Sequence, residues 1–380
     1  MPSVTLYSDA PIYGGAERYL ELLATELDRD RYRPDVVLST SEALDPAAAR
    51  LAAVGISVTR LPAVETLSRG GAFFRVFRRL AWHRPTLIHF NLTDPRSCNG
   101  ALLAAKLAGH ARFVTTEHLP QSPFDDGPTP LRHRLATAWT TRRIALNQAG
   151  RAALLARGIP AGSIDVVPNG VPDPGPPYSA ARERARATLG IAPEAPLLAF
   201  VGRLEPQKRP ALFLEIVRRL APAIPGLRAA FFGDGALRSE LEDAVRRDEA
   251  LRPRVAFYGR RDDLAALYPG FDLVVMTSSY EGQPLTLIEA GLGGVPAVAG
   301  RIPGVDEIVV EGETGRLVAP DDPDAYAVAA LAYFSAPETM RRAGALARLR
   351  MLTEHSPVVM ARATADVYDR ALRLRPAGGV

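Results

Sequence analysis

The stretch Val171-Pro172-Asp173-Pro174-Gly175-Pro176-Pro177-Tyr178 holds four prolines and a glycine. Each proline removes a backbone donor and fixes φ, so neither helix nor sheet propagates through it. It reads as a linker. On its N-terminal side, apolar runs at residues 4–8, 36–39, 58–61, 87–90, 113–115, 144–146 and 164–167 alternate with amphipathic stretches such as 16–27 and 100–108. On its C-terminal side the alternation restarts, with runs at 197–201, 229–232, 255–258, 273–276, 295–298 and 317–319. Such alternation predicts right-handed βαβ units and parallel sheets covered on both faces. The expected fold class is α/β, with two Rossmann-like domains and no visible repeat between them. The expected boundaries are 1–171, a linker at 172–180, 181–355, and a closing segment at 356–380 with a helical pattern over 357–372.

Composition agrees with two globular domains. The chain has 380 residues, 47% of them hydrophobic and 23% charged, which excludes a disordered or fibrous protein. Its length exceeds what one core usually supports. Cys98 is the single cysteine, so no internal disulfide can form and a reducing compartment fits. Residues 1–10 show no basic segment followed by an apolar one, and no apolar run approaches a membrane span. The expected location is cytoplasmic. A net charge of +4 is too small to argue for nucleic acid. Of the 46 basic residues only Lys106 and Lys208 are lysines, so the chain favours arginine wherever either would serve.

In open α/β sheets ligands bind beyond the carboxyl ends of the strands. Two such domains facing each other would make a cleft, and four loops stand where it would be lined. The first is Tyr13-Gly14-Gly15-Ala16-Glu17, where glycines let a backbone approach a ligand and a helix N-terminus offers N–H groups to an anion; a plain tight turn is the alternative. The second is Gly202-Arg203-Leu204-Glu205-Pro206-Gln207-Lys208-Arg209-Pro210. It places two cations near a helix start, a forked donor and a point charge suited to a diphosphate. A solvated basic loop is the alternative, and the scarcity of lysine weighs against it.

The third loop, Phe231-Phe232-Gly233-Asp234-Gly235, lines a site or simply turns. The fourth is Thr277-Ser278-Ser279-Tyr280-Glu281-Gly282-Gln283-Pro284-Leu285-Thr286-Leu287-Ile288-Glu289. Its two glutamates suit vicinal hydroxyls, and residues 282–285 present backbone N–H groups as a helix starts. Capping for Glu281 and an exposed helix face for Glu289 are the alternatives. Apolar neighbours around Glu289 imply a partner for its carboxylate. His118 ends a strand of the first half, and both a structural and a catalytic role remain open.

These motifs, with Val167-Pro168-Asn169-Gly170-Val171, occur in order along nearly the whole chain. Together they resemble the retaining glycosyltransferases of family four, with the GT-B fold. The resemblance implies an acceptor-binding N-terminal domain, a C-terminal domain holding a nucleoside-diphosphate sugar, and a last helix that crosses back onto the first domain. Carried onto this chain, it implies that Arg203 and Lys208 bind the diphosphate, with Gly14 and Gly15. Glu281, Gly282, Gln283, Pro284 and Leu285 would hold the transferred sugar, Glu289 the ribose, and the loop from Phe257 to Arg261 the base, with Gly235 also on the donor. His118 would lie near the transferred sugar and, with Asp94, serve the acceptor. Where the family often carries an aromatic residue and a glycine, this chain has Gln283 and Pro284. Arg301 stands where a glycine-rich loop is common.

The implied reaction is transfer of a sugar from a UDP- or GDP-linked donor to an acceptor hydroxyl of a saccharide, lipid or small molecule. It proceeds with retention and needs neither cofactor nor metal, the nucleotide sugar being a substrate. The Asp-x-Asp pairs at Asp28/Asp30 and Asp322/Asp324 read as solvated turns. Two other readings compete. A dinucleotide oxidoreductase lacks its GxGxxG. A non-catalytic nucleotide-sugar-binding or scaffold protein is opposed only by the Arg203/Lys208/Glu281/Glu289 set. The basic, aromatic run from Ala72 to Arg84 is either a membrane-surface segment or, the reading we favour, a helix with a buried stripe and solvated arginines.

Overall fold

The apolar runs of the first half lie side by side in one parallel sheet. The computed structural model describes residues 1–64, 70–94, 97–119, 137–176 and 179–373. Within these, the first sheet contains β1 (Ser3–Tyr7), β2 (Arg33–Ser39), β3 (Ser57–Leu61), β4 (Leu87–Leu92), β5 (Phe113–Glu117), β6 (Arg142–Ala145) and β7 (Ile164–Val166). Their order is β3-β2-β1-β4-β5-β6-β7, every pair parallel. β4 is buried along its whole length. Its apolar residues fill both faces, and its two polar members, His89 and Asn91, are each hydrogen-bonded. The connecting helices are α1 (Gly15–Glu26), α2 (Asp45–Ala53), α3 (Gly70–His83), α4 (Asn99–Leu107) and α5 (Gln148–Ala156).

The second sheet contains β8 (Leu197–Val201), β9 (Arg228–Phe232), β10 (Val255–Gly259), β11 (Leu273–Met276), β12 (Ala297–Gly300) and β13 (Gly315–Val318), in the order β10-β9-β8-β11-β12-β13, again all parallel. Its helices are α6 (Ser179–Leu189), α7 (Pro210–Leu220), α8 (Arg238–Arg247), α9 (Leu264–Leu267), α10 (Leu285–Leu292), α11 (Pro323–Ser335) and α12 (Pro337–Glu354). β12 starts two residues later than its apolar run. Pro296 has no N–H, and the Val295 N–H closes the preceding helix on the Ala290 carbonyl at 2.9 Å. Four phenylalanines anchor one face of this sheet. Phe231 stacks on Phe257 at 4.7 Å and meets Phe213 edge-on at 4.9 Å, with Phe200 5.1 Å away.

Contacts divide the chain into two units, Met1–Gly170 with Pro357–Val380, and Val171–Ser356. Val171 is buried in the second unit, and its N–H donates to the His355 carbonyl at 2.8 Å. Asp173 accepts from Gly175 N–H at 3.0 Å and pairs with Arg348 at 2.9 Å. Helix α6 begins at Ser179, inside the segment expected as linker. Pro177 and Tyr178 lie outside the described residues, as do Pro95, Arg96, residues 120–130 of the loop after His118, and the tail at 376–380.

The last helix, α13 (Pro357–Arg373), belongs to the first unit, as the resemblance implies. It buries Met360, Val367 and Tyr368 in one cluster with Leu20, Leu23 and Val36. Each large apolar side chain buried there contributes roughly 1.5–3 kcal/mol. Polar contacts set its register. Asp369 accepts from the Tyr32 hydroxyl at 2.5 Å and pairs with Arg31 at 2.8 Å, while Arg370 meets Asp165 at 2.9 Å. Arg112 donates to the terminal carbonyls of Ala371 and Leu372, at 2.9 and 2.6 Å, and so caps the helix.

Candidate functional site

In the second unit the strand order reverses direction between β8 and β11, which pair directly. The loops after these two strands are therefore neighbours, and they carry Arg203, Lys208 and Glu281. Lys208 Nζ donates to Glu281 Oε1, and both side chains are largely buried. Gln207 laces the loops together. Its side-chain oxygen accepts from Arg203 at 2.7 Å, its Nε2 donates to the Tyr280 carbonyl at 3.0 Å, and its own carbonyl accepts from Ser279 N–H at 2.9 Å. The Thr277 hydroxyl adds a bond to the Lys208 carbonyl at 2.7 Å. Arg209, which precedes the Pro210 that opens α7, is held at φ +51°, a strained value for a residue with a Cβ.

Glu289 has the partner its apolar surroundings required. The hydroxyl of buried Tyr268 donates to its Oε2 at 2.8 Å. Of the four residues expected to offer amides, Pro284 has no N–H. Gly282, Gln283 and Leu285 carry those donors, a correction that follows from proline chemistry alone.

The third loop has an internal reason for its glycines. A Cβ on Gly233 would sit 2.0 Å from the Gly202 carbonyl oxygen, and one on Gly235 would sit 2.5 Å from the Leu204 carbonyl oxygen. The loop is thereby pressed against the Arg203 segment, with Leu204 N–H donating to the Asp234 carbonyl at 2.9 Å. In the loop expected to meet the base, the Tyr258 hydroxyl donates to the Leu189 carbonyl at 2.6 Å, and its ring stacks on Phe232. The Arg261 fork is held by Asp263 at 2.6 and 2.7 Å. Arg301 pairs with Glu311 at 3.6 Å.

The first unit gathers a second set of polar groups beyond β1, β4 and β5. At the glycine turn, Glu17 is buried. It accepts from Gly14 N–H at 3.0 Å and from the Ser8 hydroxyl at 3.2 Å, and burial raises its pKa. Gly14 has φ −138°, and a Cβ there would meet only the Glu17 carboxylate, at an ordinary 3.5 Å. The fold itself therefore imposes no glycine at this position, in contrast to Gly233 and Gly235.

His118 is buried, and its Nε2 lies 2.7 Å from Asn91 Oδ1. Asn91 Nδ2 donates to the Ala16 carbonyl at 2.9 Å, so Oδ1 is an acceptor and His118 Nε2 carries the proton. Burial lowers the His118 pKa to about 3, so the ring is neutral at pH 7 and Nδ1 is its unprotonated nitrogen. His89, bonded to Tyr368 and Thr116 at 2.6 and 2.8 Å, is likewise lowered to about 3 by burial. Asp94 lies in a turn where its carbonyl accepts from the Ser97 hydroxyl at 2.8 Å. It adds to the burial that raises the pKa of Asp9, whose carboxylate accepts from Cys98 N–H at 2.8 Å.

The two buried histidines carry a pH dependence. An unfolded histidine titrates near 6.5, so as pH falls the unfolded chain takes up protons that the folded unit refuses. Each ring thus contributes stability above about pH 6.5 that is lost on the way to about 3, at about 1.4 kcal/mol per pH unit. Glu17, Asp9 and Glu117, all raised by burial, act in the opposite sense, so the comparison must be with a variant. Between pH 7 and 5, urea unfolding is expected to show wild type losing more stability than His89→Gln, by about the slope of one ring. Neither ring should titrate by NMR between pH 8 and 5. Equal losses, or a ring that titrates in that range, would contradict the assignment.

Among the described residues no group of three or more His, Cys, Asp or Glu is placed to hold an ion. Asp322 instead caps α11, accepting from Asp324 and Ala325 N–H at 3.0 Å, and Asp28 accepts from Asp30 N–H at 2.9 Å. Sequence reasoning missed Gln207, Tyr268, Asn91 and Glu17. Only Glu17 had a signal, its place three residues after Gly14, from which a carboxylate reaches back to the N-cap N–H. The other three are identified by partners far away in the chain.

Fold and site together define a protein of two Rossmann-like units, with Lys208 on Glu281 at the second unit's switch point and Arg203 tied to the same loops through Gln207. Comparison with known proteins makes this specific. A Glycosyltransferase Family 4 model matches residues 13–173, and a Glycosyl transferases group 1 model matches residues 195–335. With a model on each unit, the chain belongs to the family four glycosyltransferases of GT-B type. Glycogen synthase of Mycobacterium tuberculosis is 33% identical over 212 residues, covering 55% of this chain and 49% of that protein. D-inositol 3-phosphate glycosyltransferase 2 of Catenulispora acidiphila is 32% identical over 205 residues, covering 50% and 47%. The chain spans about half the length of these curated relatives. Among solved structures, Anabaena Alr3699/HepE in complex with UDP matches with a TM-score of 0.82 at 24% identity, over 97% of this chain and 100% of that one. At that identity the likeness establishes the fold.

Proposed function

We propose that this chain is a retaining, metal-independent hexosyltransferase. It moves a sugar from a nucleoside-diphosphate donor, with UDP the first choice, to an acceptor hydroxyl. One observation carries the reading: Lys208 pairs with Glu281 at the second unit's switch point, although 73 residues separate them, and Gln207 ties Arg203 to the same two loops. UDP in the Anabaena structure supports a nucleotide donor, and the glycosyltransferase name of the Catenulispora relative supports glycosyl transfer.

In this reading the second unit takes the donor. Lys208 has three N–H donors, of which one is engaged by Glu281, so the others remain for a diphosphate oxygen. Arg203 adds a forked donor, and the amides of Gly282, Gln283 and Leu285 face the sugar at the start of α10. Glu281 accepts from sugar hydroxyls, and Glu289, oriented by Tyr268, accepts from the ribose. As the bond from the anomeric carbon to the β-phosphate oxygen breaks, negative charge grows on that phosphate, and the preorganised cations stabilise it. The acceptor oxygen bonds to the anomeric carbon on the same face, and its proton passes to the departing phosphate. The first unit takes the acceptor, with His118 and Asp94 as contacts. Gly14, which the fold does not require to be glycine, leaves room for a ligand at its backbone, with Gly15 following it at the start of α1.

Thermal shift with UDP, GDP and their glucose conjugates tests the donor, since a true ligand raises stability by mass action. NMR of the product's anomeric centre tests retention, and turnover in EDTA tests metal independence. Donor binding without hydrolysis or transfer to any acceptor would favour the scaffold reading. Loss of turnover in EDTA would refute the metal-free mechanism.

A further inference from the structure

Helix α3 has two apolar sides, and the core uses only one. Val76 and Leu80 are fully buried, with Phe73 and Phe77 packed against the cluster around Ile88, Leu102 and Val37. That inner stripe completes the first unit. Arg79 and His83 are also engaged, meeting Asp35 at 3.3 and 3.1 Å. A second row points outward. Phe74 is 59% exposed and Trp82 is 90% exposed, the highest value among the exposed large apolar side chains. Arg78 stands between them at the four-residue spacing that aligns side chains along a helix, and Arg75 lies beside Phe74; both are exposed. Exposed Arg84 follows the helix, and no acidic residue occurs from Gly70 to Arg84.

The favoured expectation for this segment, a buried stripe with solvated arginines, accounts for the inner side alone. Single exposed apolar residues are ordinary on protein surfaces. Two large aromatics in one row, interleaved with arginines and free of acids, form a different pattern. A tryptophan ring and a guanidinium suit the interface between anionic headgroups and acyl chains, where one part of each side chain is apolar and the other polar. No helix among the described residues is long and apolar enough to cross a membrane, so any contact of this row with lipid is superficial.

We propose that the outer row of α3 docks on an anionic lipid bilayer, with Phe74 and Trp82 entering the headgroup region and Arg75 and Arg78 pairing with lipid phosphates. The bilayer is favoured over a nucleic acid because the row presents aromatic surface at both ends with the charge between them. The net charge of the chain, +4, provides no wider basic field for nucleic acid. The inference is independent of the donor chemistry and of the acceptor's identity.

The chain has two tryptophans, Trp82 and Trp139, which makes fluorescence a direct readout. The whole protein is mixed with phosphatidylcholine vesicles with or without phosphatidylglycerol. A blue shift of emission is expected with the anionic vesicles only. It should persist in Trp139→Phe and vanish in Trp82→Phe. Co-sedimentation with anionic vesicles should fall at least tenfold in Phe74→Ser/Trp82→Ser and in Arg75→Glu/Arg78→Glu, with thermal midpoints near wild type because these side chains face solvent. No binding to either vesicle would overturn the proposal. So would equal binding to neutral vesicles, undiminished binding by both double variants, or tighter binding to duplex DNA than to the anionic vesicles.

Discussion

Replacing Lys208 with alanine is expected to lower kcat/KM for sugar transfer by roughly 10²–10³-fold, the usual consequence of removing one preorganised donor from a developing oxyanion. The structure adds a second effect. Glu281, whose side chain is only 8% exposed, loses its cation. A largely buried carboxylate left without its partner costs on the order of 1–3 kcal/mol of stability. The two effects separate in the Lys208→Ala/Glu281→Gln double variant. Urea unfolding of the double should recover toward wild type, because the stranded charge is gone. Its kcat/KM should stay low, because the phosphate contact is still missing. Retention of more than about half the wild-type kcat/KM in Lys208→Ala would refute the role given to this lysine.

Gly233→Ala is expected to damage the second unit severely. The new methyl would lie 2.0 Å from the Gly202 carbonyl oxygen, and φ at Gly233 is +133°. Both partners are backbone at the ends of adjacent strands, so no side chain can swing away. Overpacking and strained backbone together are expected to cost roughly 2–5 kcal/mol. The displaced segment carries Arg203, so UDP affinity should fall as well. Gly14→Ala is the matching control. Its methyl finds ordinary space, so the unfolding midpoint should stay near wild type while transfer falls if a ligand lies on that turn. Calorimetric UDP titration and urea unfolding of both variants decide the point. A stable, UDP-binding Gly233→Ala protein would contradict the packing described.

Much of the fold was legible because parallel strands buried on both faces leave unbroken apolar runs. β8 and β11 appear at the residues expected. Two of the edges that moved have a local cause: Pro296 delays β12, and Gly315, whose Cβ would meet the Ala297 carbonyl oxygen at 2.5 Å, lets β13 begin early. The candidate site was legible as residue types in loops. Arg203, Lys208, Glu281 and Glu289 stood out by charge, position and company.

Their partners were not legible. Lys208 and Glu281 are 73 residues apart, and nothing local pairs them. The Tyr268 hydroxyl on Glu289, the Gln207 lacing and the Asn91 contact that sets the His118 proton are of the same kind. On α3, residue types showed a basic aromatic helix, while only exposure separated the row that packs from the row that faces out.

From sequence alone, the chain's strands and their order along it follow, along with the family they resemble and the loops in which chemistry must be sought. Those depend on φ preferences, missing N–H groups and burial along short stretches, which neighbouring residues decide. Tertiary structure decided which charges meet and which glycines are forced by packing. It also decided the proton position on His118 and the aromatics left in water. Each of these depends on which strands become neighbours across the sheet, a long-range outcome that no local pattern encodes.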